Sequence, residues 1–242
     1  MKGRPDLPSF TSRMEPRELI CTLVWIPMHF LVLPRLAFSM MERGAITEAQ
    51  ANLLFYSSGA LFLVLTCFSF LRRDFDPLCE HPFYCFGQIA LSYAMMMALN
   101  LIVSGALSML LSALGRTTFS NQNNEAVISL VREDSGRMTA MAVFLAPLAE
   151  ELMFRGALFG TLRRYHRTAA YLLSILLFSV YHVWSFAIYD ASYWIYLLQY
   201  LPAAWLLCRC YERTDSIWCS IFFHMLINWV SIRMLLFLEE LL

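Results

Sequence analysis

Three short patterns could do chemistry: Glu150-Glu151-x-x-x-Arg155, Phe178-x-x-x-His182 and His224-x-x-x-Asn228. Each places ionisable or strongly polar groups inside an apolar stretch. A charged side chain at bilayer depth costs about 2.5–3.5 kcal/mol even on the lenient insertion scale. Two glutamates and an arginine so close together must therefore be solvated from within the protein, and the two histidine patterns are the groups able to do it. Residues four apart on a helix share a face, so Glu151 can reach Arg155, Phe178 lies beside His182, and His224 lies beside Asn228. Glu150 and Glu151 point about 100° apart around the axis. One can face a cavity while the other pairs with Arg155, which leaves Glu150 for the chemistry. A carboxylate in a dry pocket suits a general base acting on water, and His182 can share that water. His224 and Asn228 carry donors that together can hold a developing oxyanion. For Glu150, Glu151 and Arg155 the plain alternative is a neutralised network that fixes helix packing.

Helices must bring these groups to one depth. A crossing needs about 20 apolar residues, and about seven stretches qualify: roughly 19–41, 51–71, 83–115, 138–159, 169–188, 191–209 and 217–238. The expected fold class is an all-α polytopic transmembrane bundle of about seven spans, with eight as the alternative count. Pro27 and Pro34 predict a kink in the first stretch, and the third is longer than one crossing needs. At a rise of about 1.5 Å per residue, Glu150 lies roughly 15 Å deep and His182 roughly 21 Å. His224 and Asn228 fall at roughly 12 and 18 Å. All four occupy the central layer of an apolar core about 30 Å thick.

Loop charges predict the orientation. One set of loops carries Lys2, Arg4, Arg13, Arg17, Arg72, Arg73, Arg163, Arg164, Arg167, Arg209 and Arg213; the other carries Arg43, Arg116, Arg132 and Arg137. The expected localisation is the cell membrane, multi-pass, with the N-terminus cytoplasmic and the C-terminus external. The segment at roughly 116–137, with its run Ser120-Asn121-Gln122-Asn123-Asn124-Glu125, reads as a long polar external loop. Two parts follow: 1–137, three helices and the polar loop, and 138–242, the helices bearing the patterns.

Composition supports a membrane setting. Of 242 residues, 59% are hydrophobic and 15% charged, with a formal net charge of zero; soluble domains hold about 25% charged residues. No basic stripe suits nucleic acid. Seven cysteines are scattered without a C-x-x-C pair, which argues against a disulfide framework or a thiolate zinc site. The first apolar run is too long for a signal peptide core and reads as a retained helix. Among the other polar residues, His29 has no visible partner and is equally open to packing or a pore-facing role, Asn100 reads as an interhelical hydrogen bonder, and His81 and His166 fall in solvated loops.

The three patterns, in this order and each on its own span, resemble the CAAX-protease and bacteriocin-processing (CPBP, or Abi) family of intramembrane glutamate-dependent endopeptidases. The resemblance covers roughly 138–230, including the approach Tyr211-Glu212-Arg213-Thr214-Asp215-Ser216-Ile217-Trp218. It implies that Glu150 activates water with His182, that His224 and Asn228 stabilise the tetrahedral intermediate, and that Glu151 and Arg155 support them. It also implies no cofactor, a membrane-associated protein or peptide as substrate, and the lipid bilayer as surroundings. Two other readings stand beside it. A zinc peptidase would use His182, His224 and Glu150 as ligands, and a non-catalytic membrane protein of bacteriocin immunity would bind a peptide without cutting it. Substrate identity and oligomeric state are not legible.

Overall fold

Apolar runs bounded by capping residues and prolines form helices throughout the computed structural model, which describes residues 10–113, 115 and 121–240. In chain order they are α1 (Pro16–Glu42), α2 (Glu48–Thr66), the short α3 (Phe68–Arg73) and α4 (Asp76–Glu80), α5 (Pro82–Ala113) and α6 (Gln122–Glu133). Then come α7 (135–163), α8 (Arg167–Ala187), a 3₁₀ turn (Ala191–Tyr196), α9 (Leu197–Thr214) and α10 (Ile217–Glu240). No strand occurs among the described residues. Starts follow local chemistry. Thr47 and Gln50 form a reciprocal capping box at α2, satisfying donors that would otherwise be orphaned. His166, expected in solvent, caps α8 by accepting from the Ala169 amide.

Proline decides where helices widen. In α1 a π-helical turn, Met28–Val32, follows Pro27 and precedes Pro34. In α7 another, Met141–Leu145, precedes Pro147. A proline lacks the N–H and its ring collides with the carbonyl four residues back, so the adjoining turn loosens. A second π-helical stretch in α7, Leu152–Phe159, directly follows the two glutamates and contains Arg155. Such wide turns recur at functional sites.

Five helices (α1, α2, α5, α8 and α10) are long and apolar enough to cross a membrane. They carry large apolar side chains on their outer faces: Leu101 is 78% exposed and Met109 76%, a sensible arrangement only if lipid is the solvent. The predicted spans 138–159 and 191–209 correspond to α7 and the 3₁₀–α9 segment, which are different in kind. α7 holds Glu150, Glu151 and Arg155, and its run Leu152–Ala157 is buried. In α9, Ala204, Leu206, Leu207, Cys208, Cys210 and Tyr211 are fully covered. The polar helices sit inside a jacket of apolar ones, because lipid cannot solvate their charges.

One expectation is corrected. Much of the supposed polar loop at 116–137 is helix α6, whose N-cap Asn121 accepts from the amides of Asn123 and Asn124. Ile128, Leu130 and Val131 are buried against the bundle. A surface helix with one narrow apolar face reads as polar by composition, although the Asn cap was a start signal. Lys2, Arg4, Arg116 and Ser120 lie outside the described residues.

Polar contacts lock each end of the bundle. At the arginine-rich end, the Thr11 and Ser12 amides donate to the Asp215 carboxylate at 2.9 and 2.8 Å. Asp215 ends α9 in the left-handed region, φ 51°, which Asp tolerates better than most residues. Ser12 Oγ bonds both Asp74 and the Tyr211 hydroxyl, and Asp74 also accepts from the Ile217 amide at 2.9 Å. Arg163 and Arg167 both donate to Glu212. At the opposite end, Asn121 Nδ2 donates to Gln199 at 2.6 Å and the Tyr200 hydroxyl to Asn121 Oδ1 at 3.0 Å.

Asp74 supplies a pH test of the first cluster. Burial pushes its carboxyl up to about 7, against about 3.9 for an unperturbed aspartate. The folded state thus binds this proton more tightly than the unfolded chain. The resulting stability is fully present below about pH 4 and is lost as pH rises through about 7. The thermal midpoint in detergent should therefore fall between about pH 5 and about pH 8, and Asp74→Asn should flatten that dependence.

Candidate active site

Three helices deliver the three sequence patterns to one buried point. The carboxylates of α7 divide cleanly. Glu151 is fully buried and both its oxygens are engaged: Oε1 accepts from Arg155 Nη1 at 3.0 Å and from His224 Nδ1 at 2.8 Å, while Oε2 accepts from Ser220 Oγ at 2.6 Å. Arg155, also fully buried, uses Nη2 to donate to the Ala204 carbonyl of α9 at 3.2 Å. Its guanidinium lies 4.2 Å from the centroid of the Phe178 ring, a favourable cation–π placement in a desolvated site. Phe178 is therefore more than packing beside His182.

Glu150, the neighbour, is free by comparison. Its Oε2 is buried and has no hydrogen-bond partner among the described residues. The nearest polar atoms are His182 Nε2 at 3.7 Å and His224 Nε2 at 3.8 Å. Both distances exceed a direct hydrogen bond, yet one water can touch the carboxylate and an imidazole together.

The imidazoles are each held from behind. His182 Nδ1 sits 2.9 Å from the Phe178 carbonyl; a carbonyl only accepts, so Nδ1 carries the proton and Nε2 is left as an acceptor facing Glu150. The Tyr200 ring of α9 stacks on His182 with centroids 4.6 Å apart. His224 is oriented by its Nδ1 bond to Glu151, so its Nε2 also faces Glu150. Asn228, one turn further along α10, donates Nδ2 to the Ala142 carbonyl at 2.8 Å. That carbonyl belongs to the π-helical turn of α7, where backbone acceptors are displaced from the regular ladder.

Glu150, His182, His224 and Asn228 line a single cavity of about 670 Å³. Glu151 and Arg155 lie behind it. Sequence reasoning missed two contributors, Ser220 and Tyr200. Ser220 stands four residues before His224 on the same helix face, so the spacing rule applied backwards would have found it. Tyr200 had no signal, since an aromatic in an apolar helix looks like packing. His29 does have a partner: its Nε2 meets the Tyr181 hydroxyl at 3.1 Å, which in turn meets the Tyr56 hydroxyl at 3.1 Å. All three of these residues line the cavity. Asn100, expected to bond between helices, also lines it, and its Oδ1 is buried without a hydrogen-bond partner. No group of three or more His, Cys, Asp or Glu among the described residues is arranged to hold a metal ion.

A carboxylate–imidazole cluster thus lies inside an apolar helical bundle. Residues 134–230, which contain all three patterns, match a family model described as type II CAAX prenyl endopeptidase, Rce1-like. This match, over less than half of the chain, supports a likeness to the CPBP/CAAX-protease family. No curated protein and no solved structure matches the chain.

Proposed function

We propose that this chain is an intramembrane endopeptidase in which Glu150 activates the attacking water. The observation that carries the reading is the unpartnered Oε2 of Glu150, facing two oriented imidazoles in a cavity large enough for a peptide. Water donates one hydrogen to Glu150 and the other to His182 Nε2, leaving an oxygen lone pair for the scissile carbonyl carbon. As the C–O bond forms, Glu150 takes a proton and the carbonyl electron pair moves onto oxygen. His224, held by Glu151 through Nδ1, directs Nε2 towards that oxyanion, and Asn228 contributes the N–H not engaged by Ala142. Collapse of the intermediate breaks the C–N bond, and Glu150 returns its proton to the leaving amine.

Glu151, Arg155 and Ser220 are positioning residues, because they hold His224 and touch no reacting atom. The reaction uses no cofactor in this reading, so a strong chelator should leave turnover unchanged. The partner is a membrane-associated protein or peptide, and the chain is multi-pass with a cytoplasmic N-terminus. The test is a comparison of membrane-derived peptides from cells carrying the wild-type protein or Glu150→Gln. Cleavage products present only with wild type support the proposal; identical peptide profiles refute it.

A further inference from the structure

The two ends of the bundle differ in charge, and the polar lining of the cavity lies towards one of them. Thr11, Ser12, Asp74, Tyr211, Asp215 and Ile217 close the arginine-rich end with their mutual hydrogen bonds, and none of them lines the cavity. The cavity walls come instead from the opposite halves of the helices: Glu48 and Asn52 at the start of α2, Asn100 and Ser104 towards the end of α5, Gln199 and Tyr200 at the start of α9. Helix α6 adds Asn121, Asn123 and Asn124 at the same end. The half of the bundle there carries Arg35, Arg43, Arg132, Arg137 and Arg233, whereas the closed end carries Arg13, Arg17, Arg72, Arg73, Arg163, Arg164, Arg167, Arg209 and Arg213. Short flanks rich in arginine stay in the cytoplasm.

We infer that the cavity opens on the extracytoplasmic face and admits an extended polypeptide segment from the outer side of the membrane, not a cytosolic chain. The lining chemistry fits such an occupant. Side-chain carboxamides offer both a donor and an acceptor, the same pair that a peptide unit presents. Asn52, Asn100, Asn123 and Asn124 line the approach to Glu150, while Asn121 and Gln199, also in the lining, are bonded to each other. Among the described lining residues none is Lys or Arg, so a free terminal carboxylate meets no guanidinium or ammonium among them. An internal segment, read through its backbone, is the better fit.

This inference rests on the endopeptidase reading for the identity of the occupant, but its test reads sidedness alone. Asn124 is exposed at the rim and Gly136 at the start of α7, where an added Cβ meets nothing within 4 Å. Native Cys79 is exposed at the closed end. Asn124→Cys and Gly136→Cys should each react with a membrane-impermeant maleimide in intact spheroplasts, while Cys79 reacts only after permeabilisation. Gly136→Cys keeps the test alive should Asn124→Cys fail to fold. Labelling of Cys79 in intact spheroplasts with protection of the two new thiols, or protection of all three, overturns the inference. Either result leaves the Glu150→Gln comparison standing, and failure of that comparison leaves the labelling pattern standing.

Discussion

Glu150→Gln should lower the rate of peptide cleavage by roughly 10²–10⁴-fold, the usual worth of a positioned general base, with the protein still folded. The substitution is isosteric and removes the negative charge together with the proton-accepting capacity. Because Glu150 Oε2 has no hydrogen-bond partner among the described residues, the loss at that atom is confined to its longer contacts with His182 and His224. Single-turnover rates in lipid vesicles, together with unchanged thermal midpoint, provide the measurement. Undiminished cleavage by the variant would remove Glu150 from the mechanism. A loss of folding would instead mean that the carboxylate holds the bundle together, the plain structural alternative.

Arg155→Met should act in the opposite way, through stability. Removing one member of a buried ion pair costs about 3–5 kcal/mol, since the remaining charge stays desolvated. Here Glu151 would keep His224 and Ser220 but lose the guanidinium, and the Ala204 carbonyl would lose its donor. The outcome expected is a steep fall in yield and in resistance to denaturant. A double variant, Arg155→Met with Glu151→Gln, should regain part of the lost stability because no unpaired charge then remains. It should not regain full activity, since His224 would no longer be held by an anion. Equal stability of the two variants would show that the charge on Glu151 is compensated by His224 alone.

Which features were legible follows from the range of the physics behind them. The charge-bearing stretch at 150–155 stood out because transfer into lipid is a local property of each side chain. The pairing of Glu151 with Arg155 was legible for a related reason: positions four apart meet on any helix. Ser220 obeyed the same rule and was overlooked, since a lone serine in an apolar stretch carries no charge to mark it. Helix α6 was hidden because its apolar face is narrow, and polar composition outweighed the Asn121 cap.

Residue order alone determined the membrane character, the positions of most helices and which side chains must escape lipid, because periodicity, capping and solvation act over one or two turns. Only the tertiary structure decided that Glu151 is spent on Arg155, His224 and Ser220 while Glu150 is left unbonded. It alone decided that Tyr200 stacks on His182, that His29 reaches Tyr181, and that one end of the bundle is closed. These outcomes depend on contacts between residues far apart in the chain. Helical spacing says which side chains share a face, and only the packing of helices says what that face meets.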